Sequence, residues 1–192
     1  MQTKTTIDRS HPLRKLFRQA LDFGFKLNPT GNKRVGDYIE EHILCEFIHI
    51  DNLYKIRDLR GRRLEDIADM LTEGDVLLKA RSFSREFHVH KHIGDYTLFM
   101  LGMFPTALYR KRGKEFILGR IIIPDSNLSE HYMLQGRRSY KIASEFTQKE
   151  LFLELSINFT IYMKVLELVR IYLESIKNKD FLKAKEIITG TR

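Results

Sequence analysis

Phe83-Ser-Arg-Glu-Phe-His-Val-His-Lys-His-Ile-Gly-Asp-Tyr-Thr-Leu-Phe-Met-Leu-Gly-Met-Phe-Pro105 decides how this chain reads. No proline interrupts the run before Pro105, and Phe83, Phe87, Leu98 and Leu101 recur at helical intervals. A long helix over 83–104 follows, ended by Pro105, which has no N–H to donate. The uncharged part, Tyr96 to Tyr109, is fourteen residues long and contains Gly102 and Pro105. A membrane span needs about 20 apolar residues, so no transmembrane segment is expected.

Working outward from this run, the same periodicity recurs. Ser10-His11-Pro12 opens a first helix with Ser10 as N-cap, carried by Leu13, Phe17, Ala20 and Leu21. A second helix is expected from about Val35 to Arg57, apolar on more than one side and therefore central. Leu59-Arg-Gly-Arg-Arg63 reads as a basic turn, followed by a short helix through Leu64, Ile67 and Leu71. After Pro105 the residues 116–123 suit a short hairpin turning at Gly119-Arg120. Helices are then expected over 128–146, from a Thr147-Gln-Lys-Glu150 capping box onward with a kink near Ser156-Ile-Asn158, and over 179–188. The fold class is all-α: a single-domain helical bundle, 1–192, of about six helices.

Composition narrows the function classes. The 192 residues hold 43% hydrophobic and 30% charged side chains, ordinary globular usage. The lone Cys45 excludes an intramolecular disulfide and haem attachment through Cys-x-x-Cys-His. Without an N-terminal apolar run the chain reads as cytoplasmic. No Gly-x-Ser-x-Gly elbow, phosphate-binding Gly-Lys-Ser/Thr loop or Gly-x-Gly-x-x-Gly turn is present.

Two histidine clusters carry metal-ligating residue types. His42, Cys45, Glu46 and His49 stand at offsets of 3, 4 and 7 on one helix. Glu46 and His49 form a Glu-x-x-His pair, but a di-iron centre needs a second such pair, which the chain lacks. In the other cluster, a helix places His88, His92 and Asp95 at i, i+4 and i+7. A strand would instead group His88, His90 and His92. Two imidazoles one turn apart with a carboxylate suit a transition metal. The competing reading makes these residues hydrogen-bonded or solvated helix positions.

The net charge of +8 is concentrated. Between Arg110 and Lys141 stand eight basic residues and three acidic ones. Arg110 and Arg112 lie in a loop-like Arg-Lys-Arg-Gly-Lys run, and Arg137 and Arg138 in Gly136-Arg-Arg-Ser-Tyr140. Guanidinium forks suit an acidic or phosphate-bearing ligand. The competing reading pairs Arg137 or Arg138 with a buried acid such as Asp95. No helix-turn-helix, zinc finger or RNA-binding aromatic motif accompanies them.

Three stretches together, Ile50-Asp-Asn-Leu-Tyr-Lys-Ile-Arg-Asp58, the run from His92 to Pro105, and Gly136-Arg-Arg-Ser-Tyr140, resemble an uncharacterised bacterial family of helical proteins of about 200 residues. The Ile-Gly-Asp…Leu-Phe…Gly-x-Phe-Pro pattern is the most specific part. The resemblance implies one compact helical domain and transfers no functional residue. It also points to Gly94 and Gly102, placed inside a helix at a cost of about 1 kcal/mol each relative to alanine. Close approach of another helix or of a ligand explains such glycines.

Three functions follow as expectations. The first is a non-catalytic helical binding or scaffold protein, with a homodimer through the C-terminal helices as one form. The second is a metal protein or oxidoreductase using His88, His92 and Asp95 with His42, Glu46 or His49. The third binds an anion, nucleotide or nucleic acid through residues 110–141.

Overall fold

The computed structural model describes residues 7–8, 10–29, 32–75, 82–110, 117–118, 121–122 and 127–190. The described chain is all-α, and its helices break more often than the six expected. Helix α1 (Pro12–Leu27) buries Leu13, Phe17, Ala20 and Leu21 as its periodicity requires. Its cap is His11, not Ser10: the Leu13 N–H donates to His11 Nδ1 at 3.2 Å. Both the N–H and the hydroxyl of Ser10 donate to Asp8 Oδ1 at 2.8 Å, so that hydroxyl is directed away from the helix end.

The expected continuous helix 35–57 is a succession of short segments. These are α2 (Lys33–Tyr38), a π-helical segment (Ile39–Leu44), α3 (Cys45–Phe47) and α4 (Ile50–Leu53). Ile39, Ile43, Leu44 and Phe47 are all fully buried. They lie on one side of the segment, since at 100° per residue they fall within an arc of about 140°. At His49 the backbone turns extended, with φ −95° and ψ 117°, and the helix ends there.

Residues 57–63 fold back as a bridge between Arg57 and Arg63 around Gly61, whose φ of 78° is left-handed. Asp58 accepts from the N–H groups of Arg60 and Arg62 at 2.9 Å each. Helix α5 (Ile67–Gly74) follows, capped by Asp66, which accepts from the Ala68 N–H at 2.7 Å.

Helix α6 (Phe83–Met103) is the axis of the structure, capped by Ser82. From Val89 to Met103 every residue except Lys91 is buried. Phe83 departs from the expected stripe and is 70% exposed. Helix α7 (Pro105–Arg110) follows, and the expected hairpin region carries a two-residue ladder, Ile117↔Ile122 and Leu118↔Ile121. Helices α8 (Leu128–Ser144), α9 (Lys149–Ile157), α10 (Phe159–Ser175) and α11 (Lys179–Thr189) complete the chain.

Helix α6 packs against α5, α8, α10 and the π segment, α8 against α9, and α1 against α10. One hydrophobic cluster runs through these contacts from Ile7 to Ile188. The kink expected near residue 157 is the junction of α9 with α10 at Asn158. The expected capping box does not form. Helix α9 starts from Gln148 in a left-handed conformation (φ 46°), without a side-chain cap, and Glu150 faces outward near Arg34.

Close approach explains the glycines. A Cβ on Gly94 would lie 2.6 Å from the Tyr140 ring on α8, and one on Gly102 would lie 2.5 Å from Leu166 Cβ on α10. Gly94→Ala gains helix propensity of about 1 kcal/mol but overpacks a ring held by a hydrogen bond. The expected result is a net destabilisation of about 1–2 kcal/mol, read as a lowered urea midpoint at unchanged slope.

Candidate functional site

The polar residues singled out by sequence are spread over α6, the π segment with α3, the break at His49 and α8. Inside, Asp95 is fully buried. Its Oδ1 accepts from the Tyr38 hydroxyl at 2.7 Å and the Tyr140 hydroxyl at 2.9 Å. Its Oδ2 accepts from Lys91 Nζ, one turn earlier, at 2.7 Å. Lys91 Nζ also sits 5.1 Å from the centroid of the Tyr38 ring. Burial, then the Asp95 charge, pushes both phenols well above their ordinary pKa, so they stay protonated donors. Asp95 is therefore held by Lys91 and two tyrosines, and not by Arg137 or Arg138 as one reading of the sequence supposed.

A second chain of contacts runs alongside. His42 Nδ1 donates to Glu46 Oε1 at 3.1 Å, and Lys55 Nζ approaches Glu46 Oε2 at 3.4 Å. Burial opposes the charge of Glu46, but the His42 hydrogen bond, Lys55 and Lys91 outweigh it and hold its pKa down to about 2. His49 stands at the break after α3 and lines a different feature. It belongs to an open groove of about 270 Å³ walled by Ile7, Ile48 and Ile187, with His11, Asp180 and Lys183 at its polar positions.

The three members of the expected 88–95 site do not converge. His88 is exposed, whereas His92 and Asp95 are buried in separate surroundings. His92 Nε2 donates to the Leu53 carbonyl at 3.2 Å, and its ring meets Phe47 and Tyr96. Helical spacing aligns these residues, yet α6 enters the core between His88 and His92. Among the described residues no group of three or more His, Cys, Asp or Glu side chains is arranged to hold a metal ion.

His90 is buried against Ser139 of α8, with Nδ1 and Oγ 3.3 Å apart. Burial, then the Arg138 charge, lowers its pKa to about 4. Arg138 is exposed, and Arg137 is tied back to the next helix, its Nε donating to the Ser156 carbonyl at 3.1 Å. The backbone of Arg110 ends α7. The Arg110 side chain and the whole of Arg112 lie outside the described residues.

On the surface, the sequence marked His88 but not the neighbours that the fold gives it. These surround His88 on the first turns of α6. On one flank Phe83 and Phe87 meet Phe146 at the end of α8, with ring centroids 6.4 and 6.1 Å apart. On the other flank Arg85 donates to the Arg57 carbonyl at 2.7 Å, fastening the basic loop 57–63 to the helix. Burial, then the charges of Lys91, Lys55 and Arg85, lower the His88 pKa. Each of these cations has an acidic neighbour: Asp95 at 2.7 Å from Lys91, Glu46 at 3.4 Å from Lys55 and Glu73 at 3.7 Å from Arg85. On the loop, Asp58 lies 2.7 Å from Arg62. Arg57 donates to the Gly61 carbonyl at 3.0 Å, and Arg60 is exposed at the tip. The stretch 51–63 carries five basic and two acidic residues, a signal visible in the sequence as the basic turn. Its nearness to Phe83 and Phe146 was not visible, because it depends on α6 and α8 meeting.

No helix among the described residues is long and apolar enough to cross a membrane. The chain matches no family model and no curated protein, and its structure matches no solved structure.

Proposed function

We propose that this chain is a non-catalytic helical binding protein whose binding face is the exposed part of α6 around His88, and that its partner is anionic. The observation that carries this reading is the basic 57–63 loop, fastened by the Arg85–Arg57 hydrogen bond to the part of α6 that leaves His88 exposed. Its companion feature is Phe83, left 70% exposed one turn away. An exposed aromatic ring of this kind gains about 1.5–3 kcal/mol when a partner covers it. The chemistry-bearing groups of the interior, Asp95 and Glu46, already have partners in Tyr38, Tyr140, Lys91, His42 and Lys55. They support the position of the binding face from beneath, since Lys91 joins both places.

Amide chemical shifts followed during titration with inorganic polyphosphate at low salt test this reading. Changes are expected within 55–63 and 82–91, reversed by added salt because exposed charges are screened. Changes confined to 127–146 would transfer the binding face to Arg137 and Arg138. An unperturbed spectrum would remove the anionic partner.

A further inference from the structure

The flanks of the α6 face differ in chemistry, and the difference selects among anionic partners. One flank is aromatic: Phe83 is 70% exposed, Phe146 is 37% exposed, and their planes are inclined at 45°. The other is cationic, with Arg57, Arg60, Arg62 and Arg63 on the loop and Lys55 before it. Ser84 and His88 lie between them as exposed polar groups. Helical geometry sets this order, since at 100° per residue Phe83, Ser84, His88 and Arg85 succeed one another around the exposed side of α6.

Resting on the binding reading above, we propose that the occupant of this face is a single-stranded nucleic acid, its phosphates on the 55–63 loop and its bases against Phe83 and Phe146. A simple polyanion matches the loop alone and leaves the rings in water. A nucleic-acid strand repeats a charge and a flat ring in every residue, and so covers both flanks at once. In a duplex the ring faces are stacked inside, whereas a single strand offers them for stacking on phenylalanine. Recognition of this kind is tolerant of sequence, because every base has a ring face. The acidic neighbours of Arg62, Arg63 and Arg85 do not prevent it. The Arg63–Asp51 pair is exposed on both sides and contributes about 0–1 kcal/mol, which a phosphate can replace. The buried Glu73 and the half-buried Asp58 hold Arg85 and Arg62 in place, and leave Arg60 and Arg63 to meet the strand.

The test uses the full chain with three probes at low and moderate salt: a short oligothymidylate, inorganic polyphosphate and poly-glutamate. Binding of the oligonucleotide is expected to weaken as salt rises, with a log–log slope of about −2 for three phosphate contacts. Phe83→Ala changes an exposed side chain and is expected to weaken the oligonucleotide roughly tenfold or more, leaving polyphosphate unchanged. Arg60→Ser should weaken both and flatten the salt slope by about 0.7. Circular dichroism of each variant verifies that it is folded. Equal binding of oligonucleotide and polyphosphate, both indifferent to Phe83→Ala, would overturn the nucleic-acid inference and leave the anionic binding face standing. Tighter binding of poly-glutamate than of oligonucleotide would overturn it in favour of an acidic polypeptide. Failure of all three probes to bind would remove both readings.

Discussion

Asp95→Ala is expected to destabilise the protein by about 3–5 kcal/mol, the largest effect of any single polar substitution in the described core. The substitution removes the shared acceptor of two phenols and an ammonium group. Tyr38 and Tyr140 cannot turn to water, because both are buried within the core cluster. Each orphaned hydroxyl costs about 1–3 kcal/mol. Lys91 suffers less, since its side chain is 19% exposed and can reach solvent. Asp95→Asn keeps an acceptor oxygen for the tyrosines and should recover part of the loss. The measurement is urea unfolding of the three proteins at neutral pH, with the slope unchanged if the transition remains two-state. A loss under about 1 kcal/mol for the alanine variant would mean that the tyrosines find new acceptors, and that this centre does not fix the α6–α8 packing.

Acidification from pH 6.5 to pH 4 is expected to remove roughly 3 kcal/mol of stability through His90. The unfolded chain binds the proton near 6.5, whereas burial, reinforced by Arg138, delays protonation in the fold until about 4. Between those values the unfolded state holds more protons, so stability rises with pH. The contribution is complete above 6.5 and is lost as pH falls through about 4. His92, lowered still further by burial and by Lys55 and Lys91, acts with the same sign. Glu46 answers at lower pH, between the ordinary glutamate value of 4.5 and about 2, so its contribution lies mostly below the histidine window. His90→Gln removes the titrating group and should flatten the stability profile between pH 6.5 and 4 relative to the native chain. A profile as steep as that of the native chain would show that His90 does not carry this dependence.

These two results concern residues whose environments sequence reading reached only in part. The run 83–105 was legible as a helix because proline stops it, and because its apolar residues recur at the period of one. The same periodicity placed Phe83 on the apolar stripe, although its ring, met by Phe146, stays 70% exposed. Gly94 and Gly102 were legible as points of close approach, and Tyr140 and Leu166 are the groups that approach. The histidine spacing left a helical face of His88, His92 and Asp95 or an extended one of His88, His90 and His92 open, and the segment is helical. What spacing cannot say is where along that face the helix passes from solvent into the core. That boundary leaves His88 outside and takes His92 and Asp95 inside.

Local rules also lost to longer-range demands at particular residues. Ser10 and Thr147 have the right chemistry for caps, yet Asp8 takes the Ser10 donors, and Gln148 starts α9 without a side-chain cap. A cap contributes about 1 kcal/mol, less than seating a helix in the core, so its position follows the packing. The segment 35–57 was apolar on several sides, which foretold its burial. The break at His49 and the π turn were not legible in that pattern, since Ile39, Ile43, Leu44 and Phe47 would share a face of a regular helix as well.

By itself the amino-acid sequence determined the all-α class, the long helix over 83–103, the glycines as points of close approach and the concentration of basic residues. All of these are encoded in periods and neighbours along the chain. Only the tertiary structure decided that Lys91, Tyr38 and Tyr140 share Asp95, and that the 57–63 loop is fastened beside Phe83 and Phe146. Those groups come from separate helices, and their meeting depends on how the apolar faces of α6, α8 and the π segment pack, which no local spacing records.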